Sequence, residues 1–255
     1  MDSVLAFFTP TELALAFVVG LLAGTVKGIV GFAMPLVMVS GLNLFLPTEI
    51  SLAGLIVPTL VTNVIQALRE GIGPAWATVR QFRIFLSIGG LFLFASAQLV
   101  PILPGRSLLL IIGVFVTLFA ATQFIGWSFV LRSASTRTEA LFAAIAGVLG
   151  GLTGIWGPPT VIYLTALGTA KAAQMRIQGV IYTLGAIALA AAHVTSGVLN
   201  AQTLPFSVFM VISALTGLYI GTRLNDRIDQ NLFRKATLAV LTLAGASMVW
   251  SGLSA

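Results

Sequence analysis

The 255-residue chain is 58% hydrophobic and 8% charged, against roughly a quarter charged in an ordinary soluble domain, so its apolar surface exceeds what a soluble fold of this size can bury. The net charge of +6 does not mark a nucleic-acid binder, because the thirteen Lys and Arg stand as short clusters between apolar runs and not on one polar face. A chain without cysteine has no disulfide, thiolate metal site or thiol nucleophile.

The first residues, with Asp2 and Glu12 around an apolar stretch and no basic segment ahead of it, do not read as a removable signal peptide. Residues 13–46 then form an interrupted stretch: an apolar run from Leu13 to Val26, a break over KGIVGFAM, and a second run from Pro35 to Leu46. Three uninterrupted runs follow at 50–68, 84–103 and 107–131. A second interrupted stretch occupies 140–167, running to Gly150, breaking over GLTGIWG and resuming at Pro158. Three more full runs follow at 177–195, 204–222 and 236–253. Each full run is long enough to cross about 30 Å of hydrocarbon as a helix, the form in which a segment pairs its own backbone polar groups. The short halves have the length of re-entrant segments.

The interrupted stretches repeat one another. Gly24, Gly28, Gly31 and Pro35 are matched by Gly147, Gly151, Gly154 and Pro158 at a constant offset of 123 residues, which argues for an internal duplication. Charge then sets the topology. If both stretches cross the membrane, Arg69, Arg80, Arg83, Arg132 and Arg137 oppose Arg106, Lys171, Arg176, Arg223, Arg227, Arg234 and Lys235. If both return to the face they entered, only Arg106 stands apart, as the positive-inside rule prefers. The expected fold is therefore an all-α integral membrane protein of two inverted repeats, 1–131 and 132–255, in one membrane domain. Each repeat is a re-entrant broken-helix hairpin plus three transmembrane helices, and both termini are outside.

Irregular backbone at membrane depth must be buried in protein or line a cavity, so both breaks are expected to face an interior site. Pro35 and Pro158, with Pro159 behind it, suit the first turn of an outgoing half-helix, whose free N–H groups and positive dipole end attract an anion. The candidate substrate-binding residues are Lys27, Gly28, Gly31, Phe32, Met34 and Pro35 from the first break, Gly151, Thr153, Gly154, Trp156, Gly157 and Pro158 from the second, and Asn63 and Gln178 from the spans. Lys27 is an intramembrane cation, a functional candidate by default, with snorkelling or carbonyl capping as its structural alternative. Packing of small residues is the corresponding alternative for the glycines. Asn63, Gln66, Gln123 and Gln178 either line a cavity or bridge helices. His193, the one histidine, is a candidate proton relay or an interfacial residue. Trp76 and Trp127 read as interfacial belt residues.

GTVKGIVGFAMPLVMV and GVLGGLTGIWGPPTVIYL resemble the duplicated signature of the sulfite exporter TauE/SafE family. The likeness extends over nearly the whole chain. It implies a multi-pass transporter of the cell membrane, in bacteria the inner membrane, moving sulfite, a sulfonate or a related sulfur-containing anion by secondary transport. The carry-over covers Gly24 to Pro35 and Gly147 to Pro159. Where the family pattern has a glycine cluster, this chain has Phe32, Ala33 and Met34 in the first half and Ile155 and Trp156 in the second, which changes pocket size and polarity.

Catalysis is not expected. There is no Gly-x-Ser-Gly turn, mid-span carboxylate pair or HExxH helix, so intramembrane proteolysis and zinc hydrolysis lack their residues, and no cofactor or metal is implied. The expected partners are a small anionic substrate and the bilayer, with homo-oligomerisation left open. A permease for a small carboxylate or other organic solute, or a non-transporting membrane scaffold, are the competing readings.

Overall fold

The computed structural model describes residues 8–126, 131, 135–169, 171–224 and 230–254, without the side chains of 30, 123, 171, 172, 230–237, 240, 241 and 244. Asp2, Trp127, Arg132 and Arg227 lie outside the described residues, as do the side chains of Gln123, Lys171, Arg234 and Lys235.

All regular structure among the described residues is helical. The order is α1 (Pro10–Val30), α2 (Met34–Leu42), α3 (Thr48–Ala67), α4 (Ile72–Gln81), α5 (Arg83–Ala97), α6 (Gly105–Phe124), α7 (Thr136–Thr153), α8 (Gly157–Ala166), α9 (Lys171–Thr195), α10 (Leu204–Leu224) and α11 (Gln230–Ser254). Helices α1, α3, α6, α9 and α10 are each long and apolar enough to cross a membrane, and α4 with α5 makes a sixth candidate bent by 78°. The chain is therefore a multi-pass helical membrane protein.

Several boundaries depart from the sequence expectation: α6 ends at Phe124 and not at 131, and α7, α9 and α11 begin at Thr136, Lys171 and Gln230, ahead of the expected 140, 177 and 236; two further departures have a local cause. Helix α1 has 21 residues instead of the apolar run 13–26. Thr9 and Glu12 form a capping box, the Thr9 N–H donating to the Glu12 carboxylate at 2.8 Å and the Glu12 N–H to Thr9 Oγ1 at 3.2 Å. This arrangement starts the helix before the apolar residues do. The expected span 84–103 ends as a helix at Ala97, with turns through 98–103 where Pro101 and Pro104 withhold N–H donors. Upstream of it lies α4, a short helix not expected from hydropathy.

Both interrupted stretches fold back as hairpins. Helix α1 stops at Gly31, whose φ is 82°, and α2 returns beside it, with Gly41 against Val19. Helix α7 stops at Gly154, φ 71°, and α8 returns so that the Tyr163 and Phe142 rings stand 5.4 Å apart. A left-handed residue at the helix end suits glycine, which has no Cβ to clash.

Helices α3 and α9 are the most enclosed of the candidate spans, each more than half buried within the protein. They run antiparallel, tied by Asn63 Nδ2 to the Tyr182 carbonyl at 3.1 Å and Gln66 Nε2 to the Met175 carbonyl at 3.2 Å. Helices α1 and α10 run parallel: Gly20 faces Met210 and Ser213, and Gly28 faces Leu218 and Thr222. Helices α5 and α7 are also parallel, with Gly89 facing Ala143 and Gly151 facing Ala97. Helices α6 and α11 are antiparallel, with Gly113 against Val249 and Gly252 against Leu110. A methyl group at Gly28 would stand 2.7 Å from the Leu218 carbonyl oxygen, and one at Gly151 2.8 Å from the Ala97 nitrogen, so glycine sets how closely these backbones approach. Exchanging α1 with α7, α2 with α8, α3 with α9, α5 with α10 and α6 with α11 maps each of the main helix pairings onto another or onto itself.

Candidate functional site

The two breaks meet at one cavity of about 20 Å³. From the first break it is lined by Lys27, Phe32, Ala33, Met34, Pro35 and Leu36, from the second by Ile155, Trp156, Gly157 and Pro158, and from the long helices by Asn63 and Tyr182. Eight of the fourteen candidates named from sequence are therefore together. The other six are placed differently. Gly28 packs on α10 and Gly151 on α5, Gly31 lies under the Met175 side chain, and Gly154 lies against Leu55. Thr153 Oγ1 serves the chain itself, donating to the Leu149 carbonyl at 2.6 Å and accepting the Ile155 N–H at 3.1 Å. Gln178 is buried on α9 outside the lining. Gln66 ties α3 to α9.

Lys27 is the one fully buried Lys, Arg, Asp or Glu among the described residues, 3% exposed. Its ammonium donates to Thr62 Oγ1 at 3.1 Å and to Asn63 Oδ1. Both partners are neutral, and an ammonium has a third N–H to give. A cation held only by neutral oxygens at membrane depth costs a few kcal/mol, a cost that a bound anion would offset. The charge comes from one half only, because the position matching Lys27 at the repeat offset is Gly150.

A chain of hydrogen bonds surrounds this cation. Asn63 accepts from Lys27 and donates to the Tyr182 carbonyl at 3.1 Å, while the Tyr182 hydroxyl donates to the Gly157 carbonyl at 3.3 Å. The first hairpin, α3, α9 and the second hairpin are thereby linked around the cavity. Sequence reasoning missed Thr62, Leu36 and Tyr182, and it named Ala33 and Ile155 only as departures from the family pattern that reshape the pocket. A polar Thr62–Asn63 pair inside an apolar span was the available signal for the first of these.

Both return helices carry proline in the first turn, as expected: Pro35 in α2 and Pro158 in α8. The second N-terminus has fewer donors, since Pro158 and Pro159 both lack an N–H. The residue before α2, Ala33, has φ 73° and is the one non-glycine with positive φ among the described residues.

A cavity of this volume holds about one water, so a polyatomic anion requires the hairpins to part. A larger crevice of about 90 Å³ lies between α5, α7 and α9, lined by glycine and apolar side chains, with Trp156 walling both spaces. It carries no charge, and the one polar side-chain group among its lining residues is the Trp156 indole N–H.

Paired broken-helix hairpins around a buried cation in a multi-pass helical bundle are an arrangement that many membrane transporters use. The chain matches the family model described as sulfite exporter TauE/SafE over residues 16–248, nearly its whole length. It belongs to the sulfite exporter TauE/SafE family of membrane transporters. Neither the curated proteins nor the solved structures yield a match.

Proposed function

We propose that the protein is a secondary transporter of a small anion, namely sulfite, a sulfonate or a related sulfur-containing anion, bound between the two hairpins and exposed alternately to either face. The observation that carries this reading is the buried Lys27 ammonium, held by Thr62 and Asn63 in a cavity that both breaks line. The first-turn N–H groups of α2 add a second source of positive potential at the same place.

The inverted-repeat reading is supported by helix direction. If each hairpin crossed the membrane completely, α3 and α9 would run the same way, as would α6 and α11. Both pairs run antiparallel, the outcome required when the second hairpin returns to its own face, and the parallel run of α1 with α10 supports the same for the first. Two inverted halves around one site give rocking between outward and inward access, and the cavity's small volume fits an occluded stage of that cycle.

Uptake into proteoliposomes of sulfite, thiosulfate, sulfonates and small carboxylates tests the proposal. Saturable movement of a sulfur oxyanion, with its apparent affinity weakened at least about fivefold in Lys27→Met, is expected. Movement of carboxylates alone would transfer the assignment to an organic-anion permease, and a reconstituted, folded protein that moves none would overturn transport of this class.

A further inference from the structure

We propose that His193 is a proton-binding site coupled to the second hairpin, so that anion movement is linked to proton movement; this rests on the transport reading above. His193 is fully buried on α9, three helical turns beyond Tyr182, or roughly 16 Å along the axis. Its Nδ1 lies 3.3 Å from Ser196 Oγ. Its Nε2 is enclosed and has no hydrogen-bond partner, and the ring lies beside the Gly151 backbone. Gly151 lies on α7, three residues before the Gly154 break, so the imidazole abuts the arm that carries half of the anion cavity.

The groups around the ring are uncharged on each neighbouring element. On α5, Ser96 donates to the Val148 carbonyl at 3.1 Å, and Gln98 donates to the Ala192 carbonyl at 3.1 Å and to Thr195 at 3.0 Å. On α7 the neighbour is the Gly151 backbone, and past the end of α9 it is Ser196. Among the described residues no acid or base acts on the ring. The position of the first half at the repeat offset, Glu70, lies beyond α3, is exposed, and pairs with Arg176 at 3.2 Å.

The chemistry is a single proton transfer. With Nδ1–H directed to Ser196 Oγ, the Nε2 lone pair takes a proton from water in a conformation that admits it. The new N–H then points at α7, where backbone carbonyls can accept it. Release of that proton to water on the other face restores the neutral ring. Because α7 leads into Gly154 and Trp156, loading Nε2 and closing the anion cavity act on the same element, and linkage makes the coupling reciprocal.

The chain has one histidine, so 15N-histidine-labelled protein with any tag removed reports this ring alone. In lipid nanodiscs, the ring is titrated through its 15N shifts, and saturating sulfite is expected to shift its proton affinity at least about threefold. One protonation state throughout, or a titration indifferent to every anion of the panel, would overturn the coupling. In proteoliposomes with an internal pH dye, His193→Asn and His193→Gln should keep sulfite exchange and lose at least about tenfold in accompanying proton flux. Sulfite movement without protons in the native protein, or unchanged proton flux in both variants, overturns the coupling alone; failure of the native protein to move any anion overturns the transport reading with it.

Discussion

The Tyr182 hydroxyl donates to the Gly157 carbonyl at 3.3 Å, while the Tyr182 backbone carbonyl accepts from Asn63. One residue of α9 therefore holds the first residue of the second return helix and, through α3, the cation of the first hairpin. Tyr182→Phe removes the hydroxyl without changing the ring. It is expected to cost about 1 kcal/mol, lowering the melting temperature in detergent by roughly 2–4 °C. A melting temperature equal to that of the native protein would show that this bond contributes nothing to holding the hairpin.

Lys27 and Asn63 should behave as one unit. Lys27→Met keeps length and loses charge, and is expected to weaken anion affinity by at least about 1 kcal/mol, roughly fivefold. Asn63→Leu leaves a buried cation short of an acceptor and the Tyr182 carbonyl without its donor, at about 1–3 kcal/mol of stability. In the double variant the charge is gone, so the combined cost should fall below the sum of the singles by more than about 0.5 kcal/mol. Strict additivity in thermal unfolding would contradict the contact.

Ala33 occupies the left-handed region at φ 73°, where a Cβ costs about 1–2 kcal/mol. Ala33→Gly should raise stability by roughly 0.5–1 kcal/mol, since the lost clash outweighs the extra entropy of the unfolded chain. Ala33→Val, branched at Cβ, should lower it by more. Thermal melts of the two variants should move in opposite directions from the native value.

Topology is testable because the chain has no cysteine. Single cysteines at 80, 137, 171 and 227 should all be shielded from an impermeant thiol reagent in intact cells and react once the membrane is opened. Labelling of 171 from outside while 137 stays shielded would mean that the second hairpin crosses, against the antiparallel packing of α3 with α9.

Much of this protein was legible residue by residue. Glycine and proline act on the backbone locally, so the breaks after Lys27 and before Trp156 and the prolines in the first turns of α2 and α8 could be read directly. Helix starts were less legible where a cap lies outside the apolar run, as at Thr9. The full-length α5 expected from hydropathy ends early because Pro101 and Pro104 override an apolar composition.

The sequence by itself determined that the chain lives in lipid, that one glycine and proline pattern occurs twice, where its helices break, and that a cation stands beside one break. Each of these follows from composition, periodicity or the local chemistry of glycine, proline and lysine. Only the tertiary structure decided which side chains meet. Tyr182 and Asn63 are 119 residues apart and are joined because α3 and α9 cross antiparallel. Gly28 and Gly151 face neighbouring helices, whereas Trp156 faces the cavity. In a chain apolar on nearly every helix face, periodicity does not distinguish lipid from protein, so the direction a residue faces is set by helix packing.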